Sequence, residues 1–163
     1  MAQFIHLFDE RNISRIRRNG LKSRRNAWGG KRGVFCFPQT ENFVVNHQWM
    51  RELRRFRGSN LLVARFRIPD MESVLLGRYN EEHLEVSAAE ALGIARLHES
   101  PLGLEVVVLR TIRPKELESI YRPPKVSGWR YYPESKGRQP CGCPYCQRGE
   151  PYSRSIRERY NNF

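Results

Sequence analysis

Three thiols stand within six residues as Cys141-Gly-Cys143-Pro-Tyr-Cys146, and a fourth, Cys36, lies far from them in the chain. In a reducing compartment such a cluster reads as three soft thiolate ligands, and zinc is the metal they suit. Zinc takes four ligands, and the sequence offers Cys36, His6, His47, His83 and His98 as the fourth. The other reading is a tight Gly/Pro turn carrying reduced, partly buried thiols. Glu105 is a different kind of candidate. It stands directly ahead of the apolar run Val106-Val107-Val108-Leu109, where packing gains nothing from a carboxylate. The ordinary state of such a residue is a solvated strand end, and the alternative is a charge kept for chemistry. His6, inside the apolar stretch QFIHLF, is either a satisfied structural histidine or one that holds a ligand. Finally, Arg11, Arg15, Arg17, Arg18, Lys22, Arg24, Arg25, Lys31 and Arg32 place nine cations in 22 residues with no acid between them. That pattern suits a phosphate backbone, and Trp28 within it suits stacking on an unpaired base. A solvated basic face is the alternative.

The elements that position these residues follow from periodicity and punctuation. QFIHLF reads as a strand ending at Asp9, a good N-cap for a helix in which Ile13 and Ile16 share a face, stopped by Asn19-Gly20. The basic stretch after it, with Trp28, reads as a surface loop. Gly33 to Pro38 is β-prone and stopped by proline, and Thr40 can cap a helix over residues 41–56 whose apolar face is Phe43, Val44, His47, Met50, Leu53 and Phe56. Strands are predicted over residues 60–68, near 73–76 and over 104–109, and a helix over 87–98 capped by Ser87. Past Tyr121 the chain is aperiodic and five of the ten prolines fall in residues 122–144, so residues 1–121 read as one domain and 122–163 as a basic Cys/Pro-rich extension wrapped on it.

Composition narrows the partners. With 163 residues, 39% hydrophobic and 11% aromatic, the chain has material for one packed core and little for a second. Its net charge of +12 is uneven: residues 1–40 carry +7, residues 41–120 carry −1 and residues 121–163 carry +6. Two basic ends around a neutral middle point to a polyanion, RNA or DNA ahead of a membrane surface. No apolar run approaches the roughly 20 residues of a membrane span. The opening MAQFIHLFDERN lacks a cationic segment followed by an apolar one, so the cytosol is the expected compartment and structural disulfides are not expected.

Three segments, in order, resemble the ADP-ribosyltransferase superfamily, in the branch shared by diphtheria toxin and the poly(ADP-ribose) polymerases. FIHLFDERNISRIRRNGLK is similar to the family's first strand with its histidine, followed by a helix and Gly-Leu, here His6, Ile13, Ile16, Gly20 and Leu21. GVFCFPQTENFVVNHQW is similar to the strand that starts at a glycine and carries an aromatic two positions later, here Gly33 and Phe35. GLEVVVLRTIRPKEL is similar to the strand opening on the catalytic glutamate, with a polar turn and a helix after it, here Glu105, Ile112, Pro114 and Leu117.

The resemblance implies an α+β fold, a split β-sandwich with flanking helices, and transfer of ADP-ribose from NAD with release of nicotinamide. It implies that His6 bonds the adenosine ribose, that backbone groups beside it at Leu7 clamp the nicotinamide carboxamide, and that Phe35 lies against the nicotinamide ring where the family usually has tyrosine. Glu105 would bond the 2′-hydroxyl of the ribose that becomes cationic. His47 would offer a second stacking group. Gly103, two residues before Glu105, stands where branches that modify arginine or asparagine carry Glu or Gln, which disfavours a protein-arginine target. With the basic ends, the acceptor is read as nucleic acid, single-stranded RNA or DNA, contacted by Arg17, Arg18, Arg24, Arg25 and Trp28. The role implied is a toxin-like or phage-defence effector, for which an inhibitory partner protein is in keeping. The rival reading is a non-catalytic RNA- or DNA-binding module, zinc-stapled through Cys141, Cys143 and Cys146. Because these thiols fall in the extension, replacing all three by serine is expected to lower the melting temperature more than the rate of any chemical step. Elemental analysis of protein purified without chelator separates zinc from a turn: one equivalent marks ligands, none marks a turn.

Overall fold

The computed structural model describes residues 1–25, 30–39, 49, 53, 60–78, 81–97 and 103–123. Strands β1 (Ala2–Asp9), β2 (Arg24–Arg25), β3 (Arg32–Pro38), β4 (Leu61–Ile68), β5 (Ser73–Arg78), β6 (Leu84–Ser87), β7 (Leu104–Val108) and β8 (Leu117–Tyr121) combine with helices α1 (Ile13–Asn19) and α2 (Ala88–Leu97) in a mixed α+β fold. The strands follow the order β6-β5-β7-β3-β1-β4-β8, with β2 added against β3, and the paired strands run antiparallel. Among the described residues no helix is long and apolar enough to cross a membrane.

Alternation sorts the side chains onto two faces. Ala2, Phe4 and Phe8 of β1, Val34 and Cys36 of β3, Leu62, Ala64 and Phe66 of β4 and Val106 and Val108 of β7 form the main core. Phe4 and Phe66, fully buried and with ring centroids 6.2 Å apart, anchor its centre. Each such ring contributes about 1.5–3 kcal/mol by leaving water. Helix α2 meets this core through Ala88, Ala91 and Ala95, small residues that let it lie close to the sheet. Its start is a reciprocal cap: Glu90 N–H donates to Ser87 Oγ at 3.2 Å, while Ser87 N–H donates to Glu90 Oε2 at 2.8 Å. Asp9 caps the other helical segment as expected, accepting from Arg11 N–H at 2.9 Å, although the chain first makes a 3-10 turn (Glu10–Asn12) before α1.

Three elements differ from the sequence-based expectations. β2 and β6 are short, and β6 is only partly covered, so neither carries a readable apolar pattern. After Pro114 the chain makes a single 3-10 turn (Pro114–Glu116) and continues as edge strand β8 on β4, in place of the helix implied by resemblance. Arg110 fixes that turn, donating to Glu116 at 2.7 and 2.9 Å and to Glu72 at 2.7 Å. The segment expected as a helix over 41–56 is described only at Trp49 and Leu53, both helical. Trp49, outside the predicted apolar face, is buried.

Gly20 ends α1 at φ +72°, and an added Cβ there would stand 1.9 Å from the Ile112 carbonyl oxygen. Leu21 and Ile112 exchange backbone hydrogen bonds at 2.9 and 3.0 Å, so the contact fixes where the chain leaves α1. Gly20→Ala is therefore expected to cost more than about 2 kcal/mol, a loss of roughly 5 °C or more in a thermal melt.

Candidate active-site cleft

β1 and β3 share only two residue pairs, Phe4 with Pro38 and Ile5 with Phe37. Gln39 N–H donates to Gln3 C=O, which marks the odd-numbered residues of β1 as those whose backbone groups face β3. Leu7 is the next of these beyond the last pair, so its N–H and C=O face the opening where the strands part. On the β3 side of the opening, the Phe35 carbonyl lies 2.6 Å from His6 Nδ1. A carbonyl only accepts, so the His6 proton resides on Nδ1. Farther along β3, Gly33 and Arg32 pair with Arg24 and Arg25, and β2 takes the edge that β1 has left.

The parting strands open into a cleft of about 550 Å³, well within the range of small-molecule sites. His6, Leu7, Phe35, Phe37, Trp49 and Glu105 line it from the sheet side, and Asn12, Arg15, Lys22, Ser23 and Arg24 line it from α1 and the segment after it. Among the described residues the lining thus combines aromatic surface, three cations and one carboxylate. Trp49 stacks on Phe37 at 5.2 Å and 17°, and its Nε1–H donates to the Leu104 carbonyl at 2.9 Å, one residue before Glu105.

Glu105 is buried, 8% exposed, and not the solvated strand end that its place before an apolar run suggests. The reason is topological: β7 is flanked by β3 and β5, and all five of its residues are covered. Directly across on β5 stands Gly77, and His83, from the turn between β5 and β6, brings Nε2 to 3.2 Å from Glu105 Oε1. The two atoms are close, outside the alignment of a linear hydrogen bond. Burial pushes the Glu105 carboxyl above the usual carboxylate range, and His83 opposes that shift without cancelling it. Cys36, on the opposite face of β3, is fully buried. Its thiol is pushed well up by burial and by the Glu105 charge, and it donates to the Val106 carbonyl at 3.4 Å. This is a packed thiol, not a nucleophile.

The structure therefore brings His6, Leu7, Phe35 and Glu105 to one cleft, and Arg24 with them. Arg17 and Arg18 are exposed on α1, outside the lining, and Arg25 is placed by its backbone pairing in β2. His47, Trp28, Cys141, Cys143 and Cys146 lie outside the described residues. Among the described residues no three His, Cys, Asp or Glu side chains group as a metal site. Sequence reasoning missed Trp49, for which the four-residue spacing to Leu53 was the available signal, and it missed His83 as a neighbour of Glu105. Gly103, at φ +79°, forms the turn into β7, so the position two before Glu105 carries no side chain. No protein-family model, curated protein or solved structure matches the chain.

The raised Glu105 carboxyl fixes the sign of a stability effect. A folded-state value above the unfolded one means stability is lost as pH rises from the ordinary carboxylate range through the folded value. Glu105→Gln removes that loss. The variant is expected to melt above the wild type at neutral pH, with the two converging below about pH 4, as read by thermal unfolding across pH.

Proposed function

We propose that the chain is an ADP-ribosyltransferase that binds NAD in the β1–β3 cleft and transfers ADP-ribose to nucleic acid. The observation that carries this reading is the convergence of His6, the Leu7 backbone, Phe35 and Glu105 on one cleft, from three strands far apart in sequence. The short β1–β3 junction supports reading the sheet as the split β-sandwich of that superfamily. In this reading the Leu7 N–H and C=O hold the nicotinamide carboxamide, Phe35 lies against the nicotinamide ring and His6 faces the adenosine ribose. Arg15, Lys22 and Arg24 supply positive charge for the pyrophosphate. The bond from ribose C1′ to the nicotinamide nitrogen breaks, its electron pair leaves with neutral nicotinamide, and the ribose becomes cationic. The Glu105 carboxylate, accepting from the 2′-hydroxyl, stabilises that charge in a water-poor site. An acceptor atom then bonds C1′ and releases its proton.

Charge supports nucleic acid as the acceptor. Arg17 and Arg18 are exposed on the helix whose Arg15 faces the cleft, so the positive surface runs from the site onto α1. A phosphate backbone drawn along it reaches the bound ribose, with Arg25 and Trp28 in the adjoining stretch of sequence as further contacts. A cytosolic effector of the toxin or phage-defence kind fits this activity. Purified protein is expected to release nicotinamide from NAD, and Glu105→Gln to slow release by at least about 10²-fold with NAD affinity little changed. With labelled NAD and total lysate, the label is expected in nuclease-sensitive material. Label in protease-sensitive material would move the acceptor to protein, and absence of nicotinamide release would leave the non-catalytic nucleic-acid-binding reading in its place.

A further inference from the structure

The proton inventory of the His83–Glu105 contact is constrained by its surroundings. His83 Nδ1 lies 2.9 Å from the Glu81 carbonyl oxygen, an acceptor only, so Nδ1 carries a proton. Nε2 lies 3.2 Å from Glu105 Oε1, and an ionised carboxylate also only accepts. A neutral ring in this pose would leave an unprotonated, electron-rich nitrogen beside an ionised carboxylate, in a place where the His83 side chain is 2% exposed. A proton on Nε2 turns that repulsion into attraction. We infer that His83 is a positioning residue for Glu105: an imidazolium held behind the carboxylate, keeping it ionised and fixed at the cleft wall.

The sheet is built to admit this ring. Gly77 stands opposite Glu105 in the β5–β7 register, and a Cβ there would lie 2.6 Å from His83 Cγ and 2.7 Å from Nδ1. A glycine in a strand interior weakens the strand, and a close approach of another group is the physical reason to keep one. The other titratable groups around Glu105 do not replace His83. The Cys36 thiol on β3 is kept neutral by burial. His6 of β1, Arg15 of α1, and Lys22 and Arg24 after it line the same cleft as Glu105. Arg78 follows Gly77 on β5 and alternates to the other face, and Glu81 and Glu82, ahead of His83, are exposed.

The inference rests on the reading of Glu105 as the charge-stabilising carboxylate, yet its first test does not use the reaction. Ring ¹⁵N spectra of the full chain at neutral pH, with His83 assigned by its absence in His83→Gln, are expected to show both His83 nitrogens protonated in the wild type. In Glu105→Gln they are expected to show a bare Nε2. Identical His83 signals in both proteins would overturn the inference, whatever the activity. The second test is the pH profile of nicotinamide release. Without a cation behind it, the carboxylate ionises at higher pH, so His83→Gln is expected to move the acid limb upward by about one pH unit or more. Gly77→Ala, which displaces the ring by sterics while leaving the imidazole in the chain, is expected to move it the same way. In both variants the rate recovers toward wild type as pH rises. A uniform drop in rate with an unmoved acid limb would mean a merely structural role and would overturn the inference. The spectra report on the pair even in a chain that releases no nicotinamide, so this inference and the proposed function fail separately.

Discussion

The junction of β1 and β3 is the constraint on which the rest of the cleft depends. The two strands pair over two residues and then part, and at the parting His6 Nδ1 donates to the Phe35 carbonyl at 2.6 Å. A half-buried carbonyl left without a donor costs about 1–3 kcal/mol, so a sheet that opens here needs a side chain to replace the missing ladder bond. His6 supplies it from within the strand that leaves. The chain then turns through α1, is held at Gly20 against Ile112, and returns as β2 to cover the far end of β3. The opening is thereby bounded on both sides by backbone whose course is fixed.

Glu105 is the second fixed point, and it is held at a cost. β7 runs between β3 and β5, and a carboxylate on such a strand gives up solvation that no residue of the apolar core restores. His83 offsets part of that cost, and Gly77 gives up a side chain so that the ring can reach. A fold selected for stability alone would carry neither the acid nor the notch. On the proposed function, their presence together against a cleft lined with Arg15, Lys22 and Arg24 is stability surrendered for charge in a chosen place.

Much of the fold was legible because its elements carry strong local signals. The alternation of residues 61–68, the apolar run after Glu105, the Asp9 and Ser87 caps and the Gly20 stop each correspond to an observed feature. β6 and β8 were not legible, since LEVS and LESIY are half exposed and owe their strand form to the neighbours β5 and β4. The depth of Glu105 was hidden for the same reason: burial comes from the place of β7 in the strand order, and only pairing partners far along the chain set that order. His83 entered the sequence reading as one of several donors for zinc. The local hint to its place was Gly77, a glycine inside a strand six residues ahead of it.

The central claim is that the opening held by His6 and walled by Glu105 receives NAD. The most direct measurement is a crystal structure of Glu105→Gln grown with saturating NAD, since that variant keeps the shape of the site while sparing the glycosidic bond. The account predicts the carboxamide on the Leu7 backbone, the nicotinamide ring against Phe35, the adjoining ribose at position 105 and the pyrophosphate facing Arg15, Lys22 and Arg24. An empty cleft at saturating NAD, or NAD bound with its nicotinamide end away from position 105, would contradict it.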